Sequence, residues 1–462
     1  MISNGPTVDA ELSLRANAAT VGHTAIEHAR FGSFQGAIVG LCALVAMLDG
    51  FDTQAIAYVA PSIADAWAIE SAGFGPIFGA GLMGLTIGAL VFSPLADRFG
   101  RKAIILLCVV LFGICSLLTA SAQSMNDLLM FRVLTGIGLG GAMPNIIALT
   151  NEYAPARLKA TLVTVMFCGF PLGSTLGGFI SVPLIQAHGW QSVFLVGGVA
   201  PLALVPLLFL YLPESIRFLA TRPGSERAVQ RILTKIDANA SVETFIAAVR
   251  AESGPLGQRR RFPVFALFHE GRARKTSLVW VAFFTNLLVM YFLVNWLPSL
   301  IRSAGFPLDV AILSTALLNL GGVVGGIVLG QLIDRRNPYL ILGSAYAAAA
   351  VFIALIAYAG SNVTSLLVFA TLAGFGVSGA QIGLNAVTAA SYPTAIRVTA
   401  IGWALGVGRV GSILGPLIGG LLLGIGWSPT SLLLATVVPA LIAAAAVLAL
   451  RYVEHGGETY AD

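Results

Sequence analysis

The stretch SPLADRFGRK at residues 93–102 and its weaker copy GQLIDRRNPY at 330–339 decide the fold of this chain. Each stretch follows an apolar run and combines an acid with basic residues. The two acids, Asp97 and Asp334, occupy the same place within their stretches.

A second pair of stretches repeats at almost the same separation along the chain. YAPARLKATL at 153–162 resembles SYPTAIRVTA at 391–400, and Pro155 occupies the same place in the first as Pro393 in the second. Two pairs at nearly one spacing indicate an internal duplication into two parallel halves. Parallel repeats are typical of a large class of transporters, which bind substrate near the midplane between the halves.

Composition places these halves in a membrane. The chain has 462 residues, of which 57% are hydrophobic and 10% are charged, whereas soluble domains carry about 25% charged residues. The mean hydropathy is +0.88. A membrane helix needs about 20 apolar residues, and we count twelve such runs, named span 1 to span 12: 37–58, 74–95, 103–121, 127–150, 160–185, 190–212, 278–301, 308–333, 339–359, 364–390, 398–424 and 430–450. They lack the alternation of a β-barrel, so we predict an all-α integral membrane protein.

The basic residues give this bundle an orientation. If both termini are cytoplasmic, all but three of the 26 Lys and Arg residues fall on the cytoplasmic side. The exceptions are Arg302 in an external loop and Arg132 and Arg409 inside spans. This is the positive-inside pattern, so the net charge of +5 does not indicate a nucleic-acid partner.

The longest polar stretch divides the halves. The predicted units are a cytoplasmic tail at 1–35, an N-terminal six-helix bundle at 36–212, a cytoplasmic linker at 213–277, a C-terminal bundle at 278–452 and a cytoplasmic tail at 453–462. The tail at 1–35 has no apolar signal sequence. Within the linker, 225–236 predicts an amphipathic helix with Ala228, Ile232 and Ile236 on one face.

The motifs resemble those of a known family. SPLADRFGRK, RVLTGIGLGGAMPN in span 4 and PESIRFL after span 6 resemble the major facilitator superfamily. LDGFDTQ in span 1 and YPTAIRVTAIGWALGVGRVGSILGPLIGG around span 11 resemble its aromatic acid:proton symporters. One departure is Ser93, where the loop motif usually has Gly.

The resemblance implies a major facilitator fold of twelve helices in two parallel repeats. It also implies proton-driven import, by alternating access, of a small aromatic carboxylate such as hydroxybenzoate, protocatechuate or benzoate across a bacterial inner membrane. We expect a monomer in the lipid bilayer, with protons as the coupling ion and no other cofactor.

The acids of span 1 support that implication independently. An ionisable side chain at a helix centre costs roughly 2.5–3.5 kcal/mol, so Asp49 and Asp52 need a reason to be there. They share one helix face, and two carboxylates that close in low dielectric resist double ionisation. Because a helix rises by a constant amount per residue, Asp52 falls level with Arg132 and Asp49 level with Arg409. We predict that Asp49, Asp52 and Arg132 couple proton movement; the alternative is structural ion pairing.

A second group of residues is predicted to bind the substrate. Arg409 lies among small residues in GVGRVGS, and a guanidinium can bind a carboxylate through two parallel hydrogen bonds. Its alternative role is a permanent salt bridge. The polar and aromatic side chains predicted to complete the pocket are Tyr291, Asn295, Trp296, Gln381 and Asn385, and the alternative for each is a helix–helix hydrogen bond.

The charged loops are predicted to form a cytoplasmic latch. Asp97 can interact with a neighbouring helix N-terminus. The predicted gating residues are Asp97, Arg98, Arg101, Glu152, Arg157, Asp334 and Arg335. For the cations, the alternative role is topology alone.

Other functions fit the sequence less well. No nucleophile–base set, Walker sequence or intramembrane His cluster occurs, which argues against an enzyme, an ATP-driven pump and a metal site. Three alternatives stay open: a proton-coupled efflux antiporter, an importer of a non-aromatic acid such as muconate, and a transport-inactive receptor for aromatic acids.

Overall fold

A computed structural model describes residues 31–237, 241–252, 264–269 and 271–455. Within these ranges the regular structure is helical, and twelve helices are long and apolar enough to cross a membrane, which confirms the predicted number. In chain order, spans 1 to 12 are Ser33–Trp67, Ser71–Phe99, Arg101–Ala120, Met125–Tyr153, Thr161–His188, Gln191–Tyr211, Ala273–Ser303, Leu308–Arg335, Pro338–Ala357, Val363–Ser391, Thr399–Gly424 and Pro429–Val453. Backbone hydrogen bonds inside each helix satisfy the polar groups that lipid cannot.

Several helices extend beyond the predicted runs, as span 1 does by ending at Trp67 rather than at residue 58, and spans 5 and 7 differ for local reasons. Span 5 consists of two helices, Lys159–Phe167 and Gly169–His188, and Pro171, which has no N–H to donate, follows the break. Span 7 begins at Ala273, before its apolar run, and Lys275 there donates a hydrogen bond of 2.5 Å to the carbonyl of Ser391 at the end of span 10. A cation on the last carbonyls of a helix stabilises that end.

The linker contains more structure than the sequence predicted. The expected helix is present as Glu226–Ile236, but its buried residues are Val229 and Leu233 rather than the predicted face. Ala228, Ile232 and Ile236 are half-buried. Val229 and Leu233 belong to the core of the N-terminal half, and Ile232 and Ile236 of the predicted face pack against that core.

A further linker helix, Val242–Glu252, was not predicted. Its Phe245, Ile246 and Val249 pack into the same core of the N-terminal half. The predicted boundaries of tails, bundles and linker stay predictions, and most of both tails lies outside the described residues.

The buried apolar residues show how the halves meet. We call the end of the bundle beside the linker helices the linker end and the opposite end the far end. One core cluster combines residues of both halves towards the far end, such as Tyr58, Phe78 and Trp296. The other two clusters, nearer the linker end, each belong to one half; Cys108 lies in the first and Tyr346 in the second.

Direct contacts between the halves follow the same division. Gln54 in span 1 donates a hydrogen bond of 2.6 Å to the carbonyl of Val294 in span 7. Gly75 and Gly420 let the backbones of spans 2 and 11 touch, because a Cβ on either would overlap the other helix. Arg302 and Asp65 form a partly exposed ion pair of 3.3 Å. The halves are therefore joined at the far end and separated at the linker end.

Candidate functional site

The centre of the bundle holds a buried ion pair. Arg132 in span 4 donates through Nη1 to Asp52 Oδ2 at 3.0 Å and through Nη2 to the Asp52 main-chain carbonyl at 3.2 Å. The side chains are 3% and 0% exposed. The predicted pairing of these two residues is therefore present. Arg132 Nε is buried without a hydrogen-bond partner.

A hydroxyl that the sequence analysis missed completes this pair. Ser116 in span 3 donates to Asp52 Oδ1 at 2.7 Å and lies 3.2 Å from the carbonyl of Phe194. Its single proton is shared between two acceptors. The only signal in the sequence is a lone serine in the apolar run LFGICSLL.

Asp49 has a different environment, although it lies one helical turn away. Its Oδ1 accepts a hydrogen bond of 3.1 Å from Thr53, while its Oδ2 is buried without a hydrogen-bond partner. The side chain is fully enclosed, with the residue 1% exposed. Burial of an unpaired carboxylate is costly unless it takes up a proton. The two acids of span 1 thus differ: Asp52 has a cationic partner in contact and Asp49 has none.

Arg409 in span 11 is the cation that the depth argument placed level with Asp49. The residue is half-buried. In the described part of the chain its side chain has no hydrogen bond or ion pair, so the permanent salt bridge considered above is not seen there.

The predicted pocket residues of span 7 fall into two groups. Tyr291 and Asn295 line a small cavity together with Arg132, Thr53 and Gln54 of the other half. Asn295 Nδ2 donates to the carbonyl of Tyr291 at 2.7 Å.

Trp296 does not line that cavity. Its Nε1 donates to the carbonyl of Pro416 at 2.9 Å, and its ring meets Phe78 edge-on at 5.1 Å between centroids. In this conformation it packs the halves together, and substrate contact by Trp296 stays a prediction.

The predicted amides of span 10 are linked to each other and to a residue that sequence reasoning missed. Gln381 Nε2 donates to Asn385 Oδ1 at 3.2 Å. Asn286 in span 7 donates to Gln381 Oε1 at 2.7 Å. The helix–helix hydrogen bond considered as an alternative is thus present for Gln381, whereas Asn385 remains half-buried at the end of the chain of amides.

One part of the predicted latch is assembled at the linker end. Arg101 forms an ion pair with Glu152, and Glu152 accepts a second hydrogen bond of 2.6 Å from Ser215. Glu214 was missed, although it lies in the quoted PESIRFL motif. It accepts hydrogen bonds from the main-chain N–H of Lys102 at 3.0 Å and of Ser215 at 2.8 Å. Glu214 therefore interacts with a helix N-terminus, the position expected for Asp97.

The remaining predicted gating residues are exposed and separate. They are Asp97, Arg98, Arg157, Asp334 and Arg335. In the ranges that the structure describes, Asp97 and Asp334 have no ion pair, while the Arg98 carbonyl accepts a hydrogen bond from Arg222. The expected contact of Asp97 with Arg98 and Arg101 is absent among the described residues, and Arg101 is paired with Glu152 instead.

Metal and disulfide chemistry have no support in the described ranges. These contain no group of three His, Cys, Asp or Glu residues placed to hold a metal ion. The four cysteines are free, and three of them are buried. The charged groups at the junction of the two halves are the Asp52–Arg132 ion pair, the unpaired acid Asp49 and the unpaired cation Arg409. That arrangement is typical of a membrane transporter with its binding site between repeats.

Comparison with known proteins agrees with this class. A model of the Major Facilitator Superfamily matches residues 42–366. The 4-hydroxybenzoate transporter PcaK of Pseudomonas aeruginosa is 42% identical over 91% of this chain and 94% of its own. A gallate transporter of Pseudomonas putida is 41% identical over 92% and 93%. The solved xylose transporter XylE from E. coli, inward open, has a TM-score of 0.72 at 17% identity, covering 89% of this chain and 95% of its own, which supports the fold alone.

The chain therefore belongs to the Major Facilitator Superfamily, and within it to the aromatic acid transporters. It is a multi-pass membrane transporter and not an enzyme. The family and the fold predicted from the sequence are both confirmed.

Proposed function

We propose that this protein is a proton-coupled symporter that imports a small aromatic carboxylate by alternating access. On this proposal it acts as a monomer in a bacterial inner membrane, with both termini in the cytoplasm and protons as the coupling ion. The linker end is then the cytoplasmic end, and the conformation described here faces inward.

The observation that carries the proposal is the unpaired Arg409. A half-buried guanidinium has been brought out of bulk water without a protein anion to neutralise it, which is unfavourable unless a ligand does so. A substrate carboxylate would supply that charge through two parallel hydrogen bonds. The named substrates of the relatives above are aromatic acids, which carry such a group.

Asp49 is the proposed proton carrier. Its unpartnered oxygen is buried, and a negative charge there would oppose the binding of a substrate anion at Arg409. Protonation of the Asp49 and Asp52 pair removes negative charge, which favours both entry of the acid and the rocking step. Because Asp52 is already paired with Arg132, we expect the proton to bind to Asp49. Its release at the linker end would reset the empty carrier.

The experiment is uptake into proteoliposomes with and without an inward proton gradient. The labelled panel contains benzoate, 4-hydroxybenzoate, protocatechuate, vanillate, gallate and muconate. We expect gradient-stimulated accumulation of at least one aromatic acid by the wild-type protein. Loss of two charged hydrogen bonds in Arg409→Ala, at about 1.5–3 kcal/mol each, would weaken its apparent affinity roughly 150-fold or more. The apparent affinity of Arg409→Lys should lie between those of the wild-type protein and Arg409→Ala, because lysine keeps the positive charge but lacks the planar group that donates two parallel hydrogen bonds.

Arg231→Ala is the matched control, because Arg231 is exposed on the linker helix Glu226–Ile236. It should transport like the wild-type protein. Equal accumulation of the labelled acid with and without the proton gradient would contradict proton coupling. Unchanged affinity in Arg409→Ala would contradict its role in substrate binding.

A further inference from the structure

Three amides in the C-terminal half form a continuous hydrogen-bonded chain. It runs from Asn286 in span 7 through Gln381 to Asn385 in span 10, with donor–acceptor distances of 2.7 and 3.2 Å. Asn286 is 2% exposed and Gln381 8% exposed, whereas Asn385 is half-buried. The chain thus begins in the protein interior and ends at an accessible group.

The direction of the chain is fixed at its buried end. Asn286 Nδ2 also lies 3.3 Å from the main-chain carbonyl of Val377, which can only accept a hydrogen bond. Asn286 must therefore present its NH₂ group to span 10, Gln381 must accept with its oxygen and donate with its nitrogen, and Asn385 must accept with its oxygen. The NH₂ group of Asn385 is left as a free donor, and chains of hydrogen bonds polarise their last member.

Asn385 lies beside the opening between the halves. Four residues along a helix correspond to about 400°, so Asn385 is rotated only about 40° from Gln381, which faces span 7. Ile382 is about 100° from Gln381 and packs against Gly326 of span 8. Asn385 therefore lies on the face of span 10 between spans 7 and 8, at the end of the bundle where the two halves separate.

Arg409 lies at the same level of the bundle as this chain. The neighbouring Gly408 packs on the carbonyl of Phe283 and on Leu287 of span 7. Asn286 is in the same turn of span 7 and faces span 10. At 100° per residue, the face of span 7 that meets Gly408, between Phe283 and Leu287, is about 80° from the face that carries Asn286, so Gly408 and the amide chain contact neighbouring faces of one turn.

We propose that Asn385 is a specificity-determining contact for a hydroxyl group on the substrate ring, with Gln381 and Asn286 as positioning residues. This inference rests on the proposed function, in which the carboxylate of the same ring binds Arg409. It defines the preferred substrates as aromatic acids that carry a ring hydroxyl opposite the carboxylate, or nearly so.

The chemistry of the free group favours a hydroxyl over other partners. A neutral amide N–H donates to an oxygen lone pair, which a phenol provides and an unsubstituted ring does not. A second carboxylate would need a cation, and none is part of the amide chain. A site built to hydrogen-bond a hydroxyl also discriminates against the analogue that lacks it, because the polar group is then left unpaired.

The test is direct binding of 4-hydroxybenzoate and benzoate to the purified full-length protein in nanodiscs. The wild-type protein should bind 4-hydroxybenzoate more tightly. Asn385→Ala should weaken that binding roughly 3- to 10-fold and change benzoate binding less than twofold, as expected for the loss of one neutral hydrogen bond. Asn385→Ser serves as the second variant if the alanine protein is not monodisperse. Asn286→Ala should likewise reduce the preference of the protein for 4-hydroxybenzoate over benzoate.

Asn145→Ala is the matched control, because this buried amide donates at 2.8 Å to Gly141 of its own helix. It should leave the affinity ratio unchanged. Equal weakening of both ligands by Asn385→Ala, or no change in their ratio, would overturn the hydroxyl subsite. A wild-type protein that binds neither acid would instead contradict the proposed function.

Discussion

Replacing Asp52 by Asn should destabilise the protein much more than the same replacement at Asp49. The two acids lie one turn apart in span 1 and are equally buried, at 0% and 1% exposure. They differ in partners: Asp52 is paired with Arg132 at 3.0 Å, and Asp49 Oδ2 has no hydrogen-bond partner. The comparison therefore isolates the ion pair from the effect of burial.

The magnitude follows from what each variant leaves behind. Asp52→Asn leaves the guanidinium of Arg132 buried without a counter-charge, and breaking a buried pair in this way costs about 3–5 kcal/mol. Such a loss lowers the folded-to-unfolded ratio more than a hundredfold. Asp49→Asn changes a carboxyl group whose hydrogen-bond partner is the hydroxyl of Thr53 and leaves no cation unpaired, so we expect a change of less than about 1 kcal/mol.

The chain contains its own reporters for the measurement. Cys42 and Cys108 are 0% exposed and Cys115 is 4% exposed. A thiol-reactive fluorophore will label these three side chains only when the bundle opens. The unfolding midpoint of each variant in detergent, read from that fluorescence during heating, gives the order of stability.

The double variant Asp52→Asn with Arg132→Gln tests the reasoning further. Removing both charges should recover part of the loss, with a coupling energy of about 1–3 kcal/mol, because no uncompensated charge remains. Equal midpoints for Asp52→Asn and Asp49→Asn would refute the argument. So would a double variant that is no more stable than Asp52→Asn alone.

Two further predictions concern coupling and packing in the same span. Asp49→Asn should bind the aromatic acid within about threefold of the wild-type affinity yet lose gradient-driven accumulation in proteoliposomes, and full accumulation would rule out its role as proton carrier. Gly50→Ala should cost about 1–3 kcal/mol in the thermal assay, because its Cβ would overlap the carbonyl of Phe170 in span 5. Gly40→Ala, where a Cβ meets nothing within 4 Å, should be neutral or stabilising, and a similar loss at both positions would show that the close approach is not the cause.

The depth of charged residues was predictable from the chain alone. Because an α-helix rises by a constant amount per residue, position along an apolar run gives height in the bilayer. That arithmetic placed Asp52 level with Arg132, and the two side chains are in contact. It also placed Asp49 level with Arg409, which stays a prediction because the described residues show no hydrogen bond or ion pair between these two side chains. Height is a local quantity, so it needs no knowledge of neighbouring helices.

Rotation and partner choice were not predictable in this way. The sequence shows two acids at one face of span 1, but which of them is paired depends on how spans 3 and 4 are turned towards it. Ser116 could not be distinguished from any other serine in an apolar run. Asn286 joined the amides of span 10 only because span 7 presents it there. These contacts depend on the packing of helices far apart in sequence.

The sequence by itself determined the twelve spans and their repeat, because each apolar run must satisfy its own backbone hydrogen bonds in lipid and therefore forms a helix regardless of its neighbours. Only the tertiary structure decided that the halves join at the far end and part at the linker end. It also decided that Glu214 rather than Asp97 interacts with the start of span 3. The relative position of the two halves is a balance of many weak contacts between surfaces distant in the chain, and no single motif encodes it.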